Sequence, residues 1–218
     1  MGAMRLHGYY RSSTSYRLRI ALELKGLAYE NVPVNLLESA QKDAGFTSRN
    51  PFGSVPMLEA EGRDRAQSMA LIEWLDEVHP EWPLLPKDIE DRYTVRELAY
   101  GIATELHAPL NLPVLKYLKE EYGKSQGEIG EWYRHWLART LVPVEQRLEQ
   151  LGTGDFLFDA PGLFEVVLIP QLYNARRFDY DLSQSPRTTR IEAACLALEP
   201  FRRAHPDNQK DNPQRGYK

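Results

Sequence analysis

The sequence predicts an α/β domain followed by an all-α domain, and three observations carry that expectation. Strand and helix patterns run β-α-β and then β-β-α over residues 4–84. Residues 79–87, with Pro80, Pro83 and Pro86, read as a linker. Beyond it strand signals nearly vanish and helical spacing takes over. The expected domains are residues 4–84 and 91–218 of a 218-residue chain, a length that accommodates two compact domains.

Taken in order, residues 4–10 read as a short strand, interrupted by Arg11-Ser12-Ser13-Thr14-Ser15. Tyr16, Ile20 and Leu24 then recur at helical spacing, Arg19 and Glu23 are placed to pair on the exposed side, and Gly26 closes the helix. Residues 29–36 form a second strand, at a sheet edge because Pro33 cannot donate to a ladder. Residues 38–48 are weakly helical or irregular. Asn50-Pro51-Phe52-Gly53 turns into a third strand at 55–60, and Glu61-Gly62-Arg63 is hairpin chemistry returning through 64–66. Ser68 is expected to cap a helix whose Leu71, Ile72, Leu75 and Val78 form an apolar stripe. In the second half, residues 91–122 read as one long helix bent at Pro113, followed by helices at 127–151, 162–177 and 188–204. The polar tail from Pro206 reads as loosely packed.

Composition narrows the function classes. A net charge of −4 and a pI near 5.8 argue against nucleic acid or an anionic membrane as the main partner. The apolar runs at 20–22 and 166–169 fall far short of a membrane span. The N-terminus lacks a secretory apolar region, and Leu6 stands where a myristoylation signal needs Ser or Thr. Met4 is a candidate native start, with Met1-Gly2-Ala3 a remnant of expression. Cys195 is the only cysteine, which rules out an intramolecular disulfide, suits a reducing cytoplasm and reads as a small core residue. The histidines lack metal-ligand spacing, and with one cysteine no zinc site is expected. There is neither a Gly-x-Ser-x-Gly elbow nor a Cys-x-x-Cys pair.

Three segments concentrate chemistry. Arg11-Ser12-Ser13-Thr14-Ser15 gathers hydroxyls and N–H donors at a helix N-terminus, which serves either to bind an anion or to cap the helix. Val55-Pro56 opens the third strand, either as a cis bond that exposes the Val55 backbone groups or as an ordinary strand-initiating proline. Gln67-Ser68 supplies an amide, a hydroxyl and fresh N–H groups at another helix start, suited to a ligand carboxylate or to capping alone. In the helical half, Trp132 and Trp136 are spaced to pack together. Arg176-Arg177 is either a solvated pair or a site.

Together, Ser12–Leu22, Asn50–Pro56 and Gln67–Leu75 resemble the glutathione-binding domain of zeta-class glutathione transferases. The resemblance extends through Leu115-Lys116-Tyr117-Leu118, Pro170-Gln171, Asn174-Ala175-Arg176-Arg177-Phe178, Arg190-Ile191-Glu192-Ala193-Ala194-Cys195 and His205-Pro206, so it covers nearly the whole chain. It implies a glutathione transferase fold: an N-terminal thioredoxin-like domain of four strands in the order 2-1-3-4, with glutathione against Pro56, and a C-terminal helical domain that binds the second substrate. By position it implies Ser12, Ser13 and Thr14 at the thiol, Val55 on the glutathione backbone, Gln67 and Ser68 on the γ-glutamyl end, and Gln41 nearby. His107, Asn111 and Arg177 fall where the family contributes second-domain contacts. Three departures stand out. Most zeta sequences have Cys at the position of Thr14; threonine there resembles maleylpyruvate isomerases. Pro113 replaces an Arg common in bacterial relatives. Gly162-Leu163-Phe164-Glu165 replaces a Ser/Thr-x-x-Asp box; glycine is a tolerable cap and Glu165 can still reach back.

The activity this resemblance implies is cis–trans isomerisation of a maleyl keto acid, maleylacetoacetate or maleylpyruvate, by thiolate addition, rotation and elimination with glutathione recycled. Hydroxyls of Ser12 and Thr14 would depress the thiol pKa from about 8.5. Arg11 and Arg177 would hold the substrate carboxylate and stabilise the developing enolate. No metal or redox group is required, and a homodimer is expected. The alternatives are a transferase that conjugates or dehalogenates small electrophiles, and a non-catalytic glutathione-transferase-like binding protein.

Overall fold

The computed structural model describes residues 4–215, so the Met1-Gly2-Ala3 segment lies outside them. The described residues form two compact units, one running to Leu84 and resuming at Leu196, the other spanning Leu85–Cys195.

The first unit is built on strands β1 (Met4–Gly8), β2 (Tyr29–Pro33), β3 (Met57–Ala60) and β4 (Arg63–Ala66), in the expected order β2-β1-β3-β4. β1 runs parallel to β2 and antiparallel to β3, and β2 is an edge strand with Pro33 opposite Gly8. Leu6 and Leu58 face each other in register, both fully buried. At the β3–β4 hairpin Glu61 and Gly62 take φ of 54° and 70°, the positive values a two-residue turn needs to match strand twist. Helix α1 (Ser13–Leu24) follows β1, the short α2 (Ala44–Thr47) falls in the irregular stretch after β2, and α3 (Ser68–Val78) follows β4. Where α1 ends, the Lys25 ammonium donates to Asp76 Oδ1 at 2.7 Å, the His79 carbonyl at 2.9 Å and the Trp82 carbonyl at 2.8 Å. That buried cation holds the start of the proline-rich stretch against its own unit.

The second unit contains α4 (Ile89–Tyr100), α5 (Leu112–Glu120), α6 (Gln126–Leu151), α7 (Leu163–Arg177) and most of α8 (Pro186–Ala197). Asp88 caps α4, accepting from the N–H groups of Glu90 at 2.9 Å and Asp91 at 3.1 Å. The single bent helix expected over 91–122 is corrected. α4 runs into a π-helical segment, Gly101–Leu106, and a turn separates that segment from α5. Pro113 lies in the first turn of α5, where its missing N–H would have been unpaired anyway, so it starts a helix instead of bending one. Ser125 and Glu128 form a reciprocal capping box at the head of α6. Trp132 and Trp136 pack together with ring centroids 5.7 Å apart and planes tilted by 58°, half-buried rather than central.

At the head of α7 the Gly162 departure is resolved. Glu165 is buried, and its carboxylate accepts the N–H of Leu157 at 2.7 Å and that of Gly162 at 2.8 Å. The acid therefore supplies the reach-back half of a capping box and also fastens the incoming loop.

The helix expected over 188–204 is two. Leu198 is extended, and Pro200 stands in the first turn of α9 (Glu199–Ala204), which belongs with the first unit and packs on α1. The reading of the tail as loosely packed is also corrected. Gln209 and Asn212 are buried; the Gln209 amide donates to the carbonyls of Arg203 at 2.8 Å and His205 at 2.9 Å, and the Asn212 amide donates to that of Pro206 at 3.4 Å. With α9 on one side and α3 on another, α1 is buried continuously from Ser15 to Leu22. Arg19, expected on an exposed face with Glu23, is instead buried, donating to the Ala204 carbonyl at 2.8 Å and the Tyr10 carbonyl at 2.9 Å.

Candidate active site

The hydroxyl cluster sits where β1 hands over to α1. Ser12 is the N-cap: its Oγ accepts the Ser15 N–H at 3.3 Å, so the capping reading is correct as far as it goes. Its hydroxyl also lies 2.9 Å from that of Thr14, and Thr14 Oγ1 donates to the Val55 carbonyl at 2.9 Å. Proton counting sets the direction of this chain. A carbonyl only accepts, so Thr14 spends its one proton on Val55, and the Ser12–Thr14 bond must be donated by Ser12. The order is Ser15 N–H to Ser12 O–H to Thr14 O–H to Val55 C=O. Ser13 is buried beside them. Arg11 lies over the Tyr10 ring, 5.9 Å from its centroid.

Val55-Pro56 is a cis peptide, and both residues are buried. Val55 packs with Tyr9 and Val34 in a small apolar cluster edged by Tyr10, Leu36, Ala40 and Phe46. Gln41 is also buried, and its Oε1 has no hydrogen-bond partner. The start of α3 differs from expectation. Gln67, not Ser68, holds the N-cap position, and no side chain caps the helix there. Gln67 is exposed with φ of 72°, a left-handed backbone that costs a non-glycine residue and concentrates at sites of ligand contact. Ser68 is the first helical residue and is buried.

Arg17 is a feature the sequence reading passed over. It lies on α1 three residues after Thr14, fully buried, with Nε and Nη2 unpartnered; burial alone pulls its guanidinium down to about 10. The signal was an arginine inside an apolar helical run.

In the second unit His107 terminates the π-helical segment, and Asn111 is exposed at the N-cap position of α5 with no side-chain capping bond. The two adjacent arginines part company. Arg176 pairs through two nitrogens with the buried carboxylate of Glu192, whereas Arg177 is exposed, held by Asn174 Oδ1 at 3.0 Å and lying over Phe178. Cys195 is wholly buried, and burial with Glu165 and Glu192 nearby pushes its thiol far above the ordinary range, the opposite of nucleophile activation. Among the described residues no group of three or more His, Cys, Asp or Glu side chains is arranged for a metal ion, and no helix is long and apolar enough to cross a membrane.

A four-stranded mixed sheet with a cis-proline ahead of its third strand, hydroxyls at the first helix start and a helical second unit define the glutathione transferase fold. Residues 2–77 match the family described as the glutathione S-transferase N-terminal domain. The chain is 40% identical to a maleylacetoacetate isomerase of Rhizobium meliloti, over 94% of this chain and 97% of that one. It superposes on the holo structure of a maleyl pyruvate isomerase, described as a bacterial zeta-class glutathione S-transferase. The TM-score is 0.93 at 38% identity, covering 95% of this chain and 99% of that one. A maleylacetoacetate isomerase from Anaeromyxobacter dehalogenans, solved with glutathione in its active site, gives a TM-score of 0.86 at 45% identity over 97% and 98% of the two chains. The chain belongs to the zeta class of glutathione transferases, the family of the maleylacetoacetate and maleylpyruvate isomerases.

Proposed function

We propose that this chain is a glutathione-dependent cis–trans isomerase of a maleyl keto acid, maleylacetoacetate or maleylpyruvate. The observation that carries the reading is the directed hydroxyl chain from Ser12 through Thr14 to Val55, placed at the N-terminus of α1 beside a buried cis-proline. Glutathione fits the donors and acceptors present. The uncapped first turn of α3 with the exposed Gln67 amide suits a carboxylate, and the orphaned Gln41 oxygen is an acceptor in want of a donor. Bound there, glutathione would supply the sulfur nucleophile of the reaction.

The chain's own residues then have separable tasks. Gln67 and Ser68 hold the γ-glutamyl end, and Val55, Pro56 and Gln41 hold the peptide. Ser12 turns its proton from Thr14 to the sulfur, assisted by the partial positive charge of the α1 N-terminus, while Ser13 fills the wall behind it. Arg11 and Arg177 are assigned to substrate carboxylates, and His107 and Asn111 to further substrate contacts. The first compact unit, residues to Leu84 with those from Leu196, thus serves as the glutathione-binding domain, and Leu85–Cys195 as the substrate-binding domain. The test is turnover of a panel of cis-enoic keto acids and of halogenated acids. Isomerisation of the maleyl acids supports the proposal, and glutathione-consuming dehalogenation alone overturns it.

Two substitutions probe the assignments. Gln67→Ala should weaken glutathione binding by roughly 1–3 kcal/mol, the worth of a charge-assisted bond; equal affinity in mutant and parent would remove Gln67 from the site. Arg177→Lys keeps the charge but loses the planar fork, so turnover of dicarboxylic substrates should fall with glutathione binding intact. Full activity in both Arg177→Lys and Arg177→Ala would return Arg177 to the solvated surface.

The proposed assembly is a homodimer in a reducing cytoplasm. Phe52, 67% exposed in the turn before the cis-proline, is a large apolar side chain suited to burial by a second copy. Sedimentation equilibrium should give twice the mass of the chain, and a clean monomer would contradict the assembly.

A further inference from the structure

Tyr10 lies just beyond β1, in the turn that delivers Arg11 and Ser12 to the head of α1, and no strand takes up its backbone groups. Both are claimed by side chains tied to the far end of the sequence. The Tyr10 N–H donates to Asp211 Oδ2 at 2.8 Å. Its carbonyl accepts from Arg19 Nη2 at 2.9 Å, and the same guanidinium donates through Nε to the Ala204 carbonyl at 2.8 Å. The segment carrying Asp211 is itself stitched, through the Gln209 and Asn212 amides and through the His205 ring set edge-on against Tyr16 at 5.8 Å. Asp211 is half-buried; its Oδ1 is covered and has no hydrogen-bond partner, while Oδ2 is given to the Tyr10 N–H. A covered acceptor without a donor costs stability, and the bond that Oδ2 makes to Tyr10 offsets part of that cost. What it fixes is the peptide one residue ahead of Arg11 and two ahead of Ser12.

We infer that the C-terminal segment 204–212 is a positioning element of the thiol site, with Asp211 as the positioning residue that holds the Tyr10–Ser12 turn through the Tyr10 N–H. This rests on the glutathione reading above for its catalytic consequence, but the brace can be read without it. Losing the bond lets the turn move, Ser12 loses its aim, and its donation to a bound thiol weakens. Asp211 touches no reacting atom in this account.

The experiment uses the full-length protein with Asp211→Ala, Asp211→Asn and, as a control in the same segment, Lys210→Ala. Two quantities are measured: amide hydrogen exchange over residues 9–12 without ligand, and the pH midpoint of glutathione thiolate absorbance on the protein. Asp211→Ala should speed exchange at Ser12, whose N–H is bonded to Tyr9 and not to Asp211, by about tenfold or more, and should raise the thiolate midpoint by about one pH unit. Asp211→Asn, whose amide oxygen can still accept from Tyr10, should recover the parent's behaviour, and Lys210→Ala should match the parent. If Asp211→Ala does not fold, Asp211→Glu carries the test, because it keeps the charge but displaces the acceptor by a methylene. Unchanged exchange at Ser12 in either variant overturns the brace, as does a lowered melting temperature with an unmoved thiolate midpoint. A parent that lacks isomerase activity would sink the proposed function while leaving the exchange result to decide the brace.

Discussion

Ser12→Ala should cut turnover at neutral pH by up to about 10²–10³-fold at saturating glutathione, and should move the acid limb of the pH–rate profile upward. The range is that of one lost oxyanion-type donor, and a thiolate, being softer, sits toward its lower end. Thr14 should behave differently for a reason visible in the proton count. In the free protein its hydroxyl already donates to the Val55 carbonyl and receives the Ser12 proton, so it is a stitch and a competitor for that proton. Thr14→Val removes the competitor, so the thiol pKa should stay level or fall. It also releases the Val55 carbonyl, so KM for glutathione should rise. Thr14→Ser, which restores the hydroxyl, should recover the parent's KM. The expected signature is thus a kcat effect at position 12 and a KM effect at position 14. A Ser12→Ala profile superimposable on the parent's, with Thr14→Val inactive, would transfer the catalytic donor role to Thr14.

The second large effect concerns stability. Glu165→Ala should leave two backbone N–H groups without acceptors, that of Leu157 buried and that of Gly162 partly so, at roughly 1–3 kcal/mol each with Gly162 toward the lower end. A loss of about 2–5 kcal/mol in denaturant unfolding is expected. The pH dependence has a definite sign. Burial is the largest influence on Glu165 and raises its carboxyl above the ordinary glutamate value, with the backbone bonds pulling the other way. A raised pKa means the folded chain holds the proton more tightly than the unfolded chain does. The contribution is therefore fully present below the ordinary glutamate value and is lost as pH rises through the raised one. Glu165→Gln cannot titrate, so the stability difference between parent and Glu165→Gln should drift against the parent as pH climbs through that window. A difference independent of pH would show that the side chain titrates as it does in the unfolded chain.

The path from sequence to structure was clear wherever the cause was local. Pro33 marked an edge strand and Glu61-Gly62 a tight turn, while the order of the four strands followed from the family resemblance and not from any one strand's pattern. Helix starts are harder to place: Pro113 and Pro200 are first-turn prolines that begin helices, whereas helical spacing alone runs one helix over 91–122 and another over 188–204. Arg19 misled for a different reason. Its spacing from Glu23 is that of an exposed helical pair, and only the return of residues 199–212 from the other end of the chain buries it. The candidate site was legible as a set of residues, since the hydroxyls, Val55-Pro56 and Gln67 each announce unusual backbone or donor chemistry. The direction of the hydroxyl chain was not, because it depends on a carbonyl that lies 41 residues from Thr14.

In the proposed reaction glutathione is recycled rather than consumed, its sulfur kept ionised by the Ser12 hydroxyl at the N-terminus of α1. The most direct test is to supply the protein with a maleyl keto acid in excess over glutathione and to follow both the trans product and free glutathione to completion. Many product molecules per glutathione are expected, with full recovery of glutathione at the end and a rate that vanishes when glutathione is omitted. Product that stops at one equivalent per glutathione, with the thiol converted to a stable conjugate, would contradict recycling.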